Sequence, residues 1–162
     1  MLHAKDIKFE GIYKDYLIDK WGSAIYDTLD NPKAYETVVS KLPSGVAEIT
    51  AANMLIMEVE NGGFHQYFYN SYGITIKEAI RGLKLADQAL YHKLSLIALE
   101  RFEKPFPKDR EARILVIGES DGEKISFRDL DDQFYALDKN EQDLYFERFE
   151  KFSEKILNSL ER

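Results

Sequence analysis

Glu58, His65, Gln66 and Asn70 fall within one short stretch of chain and are the side chains best equipped to do chemistry. A carboxylate and an imidazole can serve as general acid and base, and two amides can orient a polar substrate, if all come within hydrogen-bonding reach of it. That set defines one candidate pocket, for a small ligand or for catalysis. Asn61-Gly62-Gly63 lies between the acid and the base, so spacing does not set their geometry. The competing assignment is structural: Asn61, Gln66 and Asn70 can satisfy backbone groups at two helix ends, which cannot go unpaired when buried. Catalysis is therefore assigned to no residue at this stage.

Other reactive classes find fewer supports. Three scattered histidines and no cysteine make no metal ligand set, and there is no His-Glu-x-x-His motif. The run from Asp138 to Phe149 begins like a calcium loop, but it lacks the glycine at position six and the bidentate glutamate at its end. Gly62-Gly63 is followed by neither a P-loop lysine nor a dinucleotide fingerprint, and no nucleophile elbow occurs. No cofactor is expected.

The elements that must hold these residues read as helices. Ile49, Ala52, Leu55, Ile56 and Val59 recur at the spacing of one buried helical face. Asn61-Gly62-Gly63 stops that helix with residues that tolerate positive φ, and the chain restarts with Phe64, Tyr67, Phe68 and Ser71 on one side. Upstream, residues 1–10 form a patternless lead-in, a stripe from Ile12 to Leu29 is interrupted at Gly22, and Asn31-Pro32 starts a helix that Pro43 ends. Thr75-Ile76-Lys77-Glu78 fits a capping box, and the apolar pattern runs on to Phe102 with a break near Asp87. The segment 113–117 reads as a helix end or a short buried piece. Ser126 to Asp129 can cap a helix through Leu137, and Asp138 to Glu141 can cap the last one. The expected architecture is all-α, a single compact multi-helix domain over 11–162 with short connections.

Charge is unevenly distributed. The net charge of −7 comes almost wholly from residues 119–162, which hold 13 acidic and 7 basic side chains. Phosphates require Lys and Arg, so direct nucleic-acid binding there is disfavoured and a basic partner is the natural complement. No apolar run reaches membrane-spanning length, and the start turns charged too early for a secretory leader, so a soluble cytoplasmic protein without membrane association is expected.

On the last helix, Tyr145, Phe146, Phe149, Phe152, Ile156, Leu157 and Leu160 share one broad face. Asp143, Glu147, Glu150, Glu154 and Glu161 form a narrow stripe beside it, ~27 Å long at ~1.5 Å per residue. Like charges three or four residues apart each cost roughly 0.2–0.5 kcal/mol. The stripe is either a solvated face rich in helix-forming glutamate or a ladder of charges imitating a phosphate track. Duplex DNA carries one charge per ~1.7 Å, so imitation requires Asp129, Asp131, Asp132 and Asp138 alongside, or a second copy in a homodimer.

Glu58-Val59, Asn61-Gly62-Gly63-Phe64, Gln66-Tyr67-Phe68 and Asn70 resemble the signature of a bacterial family, the DNA-mimic proteins, whose main domain was long a domain of unknown function. Leu130-Asp131-Asp132-Gln133-Phe134-Tyr135 resembles its second recurrent block, and the resemblance covers residues 44–160. It implies a non-enzymatic acidic protein whose surface occupies the nucleic-acid site of a basic DNA-binding protein such as a transcription regulator. The signature residues Glu58, Asn61, Gly62, Gly63, Phe64, Gln66, Tyr67, Phe68 and Asn70 are then scaffold. The partner surface is then Asp129, Asp131, Asp132, Asp138, Asp143, Glu147, Glu150, Glu154 and Glu161. The alternative remains a small-molecule-binding protein or enzyme with a pocket around Glu58, His65, Gln66 and Asn70.

Overall fold

The computed structural model describes residues 13–137 and 139–160, so the lead-in 1–10, Asp138 and Glu161 lie outside the described residues. The described chain is all-α, with no strand. Its helices are α1 (Tyr13–Lys20), α2 (Pro32–Lys41), α3 (Val46–Tyr69), α4 (Ile76–Leu85), α5 (Ala89–Glu100), α6 (Arg110–Ile117), α7 (Arg128–Tyr135) and α8 (Lys139–Leu160), with 3-10 turns at Gly22–Thr28 and Ser71–Thr75.

α3 is the axle. α4, α6, α7 and α1 all pack on it, which is why Ile49, Leu55, Val59, Phe64, Tyr67 and Phe68 are completely enclosed. Each such side chain contributes roughly 1.5–3 kcal/mol through removal from water. α4 comes closest at Gly82, where a Cβ would stand 2.2 Å from the Glu48 carbonyl oxygen, so only glycine permits the crossing. The main core runs from Leu17 to Leu157 and thus joins the first and last helices.

The expected stop and restart in α3 is present as a kink. Gly62 has φ −158°, and Gly63 takes φ 81° and ψ 178°, a conformation essentially reserved for glycine. Asn31 caps α2 through Ala34 N–H at 3.1 Å with Pro32 at the first position. Asp87, at φ 56°, separates α4 from α5.

Three local expectations need correction. The N-cap position of α7 falls to Phe127, whose side chain caps nothing, and Ser126 Oγ accepts only the Arg128 N–H, at 3.4 Å. Thr75 forms no capping box: its hydroxyl donates to the Tyr72 carbonyl at 2.7 Å and pairs with the Tyr67 hydroxyl at 2.8 Å, a buried partner that outcompetes the helix end. Phe146 is not on the buried face of α8 but 59% exposed, because its neighbours Tyr145 and Phe149 take the inward positions.

The segment 113–117 belongs to α6, whose first turn is capped by Asp109 accepting from Ala112 N–H at 3.0 Å. At its centre the Arg113 guanidinium is fully buried. It donates to the carbonyls of Phe68 (3.0 Å), Asn70 (3.1 Å) and Lys108 (2.6 Å). Those of Phe68 and Asn70 are acceptors at the end of α3, where orphan carbonyls and the helix dipole both favour a cation. Burial pulls the guanidinium below its ordinary pKa.

Candidate acidic interface

The signature residues converge on each other. The Glu58 carboxylate accepts from Asn70 Nδ2 at 2.7 Å and from Gln66 Nε2 at 3.4 Å, spanning the α3 kink. Gln66 and Asn70 thus spend their side chains on Glu58 rather than on backbone groups, while Asn61 is exposed. His65 is buried, stacks on Tyr69 with ring centroids 5.8 Å apart, and donates from Nε2 to the Gly118 carbonyl at 3.0 Å. A carbonyl only accepts, so Nε2 carries the proton and is unavailable as a base. Asn70 lines a shallow recess of about 350 Å³ with Tyr26, Ser71, Tyr72 and Arg110. A larger recess of about 810 Å³ lies elsewhere, between Leu96, Phe102 and Phe106.

The described carboxylates of the acidic set divide into two groups. Three are engaged in holding the fold. Asp129 makes a fork-to-fork pair with Arg101, Nη1 to Oδ1 at 2.7 Å and Nη2 to Oδ2 at 2.6 Å, which holds its carboxyl below the usual range. Asp131 accepts the Phe64 N–H at 2.9 Å; its partial burial nevertheless raises its carboxyl, with Asp121, Asp132 and Asp129 adding to the effect. Glu150 accepts the N–H groups of Tyr13 (3.0 Å) and Lys14 (3.4 Å), supplying the anion that the start of α1 favours.

The other four, Asp132, Asp143, Glu147 and Glu154, are exposed and have no ion pair or side-chain hydrogen bond among the described residues. Asp143 to Glu154 spans ~16 Å of α8 at ~1.5 Å per residue. One edge of this stripe is basic, since Glu147 shares a recess of about 370 Å³ with Arg148, Lys151 and Lys155. The stripe is therefore much sparser than a phosphate track.

Sequence reasoning passed over Glu60. Its neighbour Val59 lends its carbonyl to the Tyr135 hydroxyl at 2.5 Å, and Tyr91, Tyr135 and Tyr145 all lie in the field of the Glu60 carboxylate. Partial burial raises the Glu60 carboxyl above the ordinary glutamate range, with Lys14 acting against the rise. The signal available was a second carboxylate two residues after Glu58 and shortly before the Gly62-Gly63 break. Among the described residues no group of three or more His, Asp or Glu side chains could hold a metal ion, and no helix is long and apolar enough to cross a membrane.

The sequence pattern of one family, the DMP19-like proteins, matches residues 40–156. No curated protein and no solved structure matches the chain. The matched span runs from the end of α2 deep into α8 and includes the kink of α3, the Asp131 carboxylate that meets it from α7, and the buried Arg113. The chain therefore belongs to the DMP19-like family, the DNA mimic protein 19-like proteins.

Proposed function

We propose that this protein works by binding, as a DNA mimic whose acidic surface occupies the nucleic-acid site of a basic DNA-binding protein such as a transcription regulator. The observation that supports the reading is the pairing of family membership with four outward carboxylates that make no ion pair and no side-chain hydrogen bond among the described residues. Unpaired like charges on adjacent turns oppose helix stability, so their placement is better accounted for by a partner than by the fold. Asp132, Asp143, Glu147 and Glu154 form the contact surface, while Asp129, Asp131 and Glu150 keep the elements beneath it in place. Asp138 and Glu161 belong to the same acidic set by sequence and lie outside the described residues.

Charge reversal tests the reading. The variant Asp143→Lys/Glu147→Lys/Glu154→Lys, immobilised beside the unaltered protein, should lose basic DNA-binding proteins from a cell extract, and rising salt should release them from the unaltered protein. Equal retention on both proteins would refute it.

A further inference from the structure

Two stretches of the chain repeat one short pattern, Asp132-Gln133-Phe134-Tyr135 on α7 and Asp143-Leu144-Tyr145-Phe146 on α8. In each, a carboxylate is followed after one residue by two aromatic side chains, and the fold treats the two aromatics oppositely. Phe134 and Tyr145 are buried, whereas Tyr135 and Phe146 stand 52% and 59% exposed. The buried pair meets on one ring, since the centroid of Tyr91 on α5 lies 4.8 Å from that of Phe134 and 5.3 Å from that of Tyr145. Tyr91 therefore brings the two patterns together. Each open ring leans on its own buried neighbour, Tyr135 on Phe134 at 5.8 Å and Phe146 on Tyr145 at 5.1 Å.

Packing does not account for the outer half of either pattern, because an apolar ring left in water contributes little to the fold. Phe146 has no polar atom to present, and the Tyr135 hydroxyl is already engaged, donating to the Val59 carbonyl at 2.5 Å. That bond holds the Tyr135 ring in place, so a partner would not have to order it. Three residues before each ring, a spacing that makes neighbours on a helix, stands Asp132 or Asp143. Neither carboxylate has an ion pair or side-chain hydrogen bond among the described residues. An open ring beside a free carboxylate suits a guanidinium, whose fork donates to the acid while its weakly hydrated plane stacks on the ring. An ammonium answers the charge but is strongly hydrated and has no plane. The carboxylates set the sign of the occupant, and the rings select arginine.

We infer that Asp132 with Tyr135, and Asp143 with Phe146, are two arginine-binding positions through which the acidic surface takes guanidinium groups of its protein partner in preference to lysines. This rests on the DNA-mimic reading for the partner's class, because proteins that grip phosphates present both arginine and lysine. Glu147 and Glu154 have no exposed ring at the same spacing, as Glu150 and buried Leu157 stand there, so they supply charge alone. The two aromatic positions thus give selectivity to a stripe too sparse to imitate duplex DNA by charge. Aromatic and arginine side chains are the groups that dominate binding energy in protein contacts.

The test uses the whole protein and two probes of equal charge, acetylated hexa-arginine amide and acetylated hexalysine amide, titrated at low salt while amide chemical shifts are followed. The arginine peptide should bind about fivefold tighter, and the shifts that distinguish it from the lysine peptide should centre on residues 132–135 and 143–146. Tyr135→Leu and Phe146→Leu should each reduce the preference and together abolish it, with affinity for the lysine peptide unchanged. Tyr135→Phe gives up the bond to Val59 but keeps the ring, so it should retain the preference. Asp132→Asn/Asp143→Asn should weaken both peptides. Equal affinity for the two peptides in the unaltered protein, or a preference that survives loss of both rings, would overturn the arginine positions while leaving the acidic surface standing. Failure of both peptides to bind would overturn them and count against the mimic reading as well. Arginine preference in a chain that binds its partner without displacing DNA would count against the mimic reading alone.

Discussion

The carboxylate of Asp131 on α7 accepts the backbone N–H of Phe64 on α3 at 2.9 Å, across a sequence separation of 67 residues. The bond falls where α3 restarts, so Asp131 does for the second half of that helix what an N-cap does for an ordinary one. Gly63 makes the approach possible, since a Cβ there would stand 2.4 Å from Asp131 Oδ2. The two sequence blocks that suggested the family are thus the two sides of one contact.

Substitutions at this junction should be coupled. Asp131→Ala leaves the Phe64 N–H without its acceptor and should cost about 1–3 kcal/mol, whereas Asp131→Asn retains an acceptor oxygen and should cost less. Gly63→Ala should cost about 1–3 kcal/mol from backbone conformation, plus the collision with Asp131. In the double variant Gly63→Ala/Asp131→Ala the collision is gone, so the combined loss should fall short of the sum. Urea unfolding of the four proteins measures this, and strict additivity would show that the two residues do not touch.

Arg113 should be among the least replaceable side chains. Arg113→Ala strands acceptors on Phe68, Asn70 and Lys108 and opens a hole beneath α6, for a loss of about 3 kcal/mol or more. Arg113→Lys should recover only part of it, because one ammonium lacks the fork that spans several carbonyls. Denaturation midpoints of the two variants check this. A small loss in Arg113→Ala would mean that those carbonyls find other donors.

Glu60 should weigh on stability at neutral pH. Its carboxyl is raised chiefly by partial burial, so the folded state holds the proton at pH values where the unfolded chain has released it. Ionisation then works against folding as pH climbs from the unfolded pKa through the higher folded one, and the penalty persists at neutral pH. Glu60→Gln should therefore be more stable than the unaltered protein at pH 7. The difference should shrink as pH falls below the ordinary glutamate value, where both side chains are neutral. Urea unfolding across that range reads it directly, and a variant less stable at pH 7 would mean that Glu60 has a favourable partner.

Much of the helical architecture is legible in the chain because its punctuation is local. Asn31-Pro32, Gly62-Gly63 and Asp87 each act on backbone within a few residues, and the structure places a cap, a kink and a break there. What escaped were choices between local and distant partners. Thr75 has the pattern of a capping box, yet the hydroxyl of buried Tyr67 claims it. Gln66 and Asn70 suit helix ends, yet both turn to Glu58. The acidic stripe was legible as a pattern on α8, but nothing in its periodicity distinguished Glu150, which caps α1, from Glu147 and Glu154, which face solvent. Arg113 was missed for the same reason, since a charge set among apolar residues acquires meaning only from what folds around it.

The central claim is that this surface and duplex DNA compete for one site. A DNA-binding protein retained by the immobilised chain can be purified, bound to a fluorescently labelled duplex, and titrated with the chain while anisotropy is followed. The account predicts release of the duplex by the unaltered protein, and release only at tenfold or higher concentration by Asp143→Asn/Glu147→Gln/Glu154→Gln. A ternary complex, with the duplex still held after the chain has bound, would contradict it.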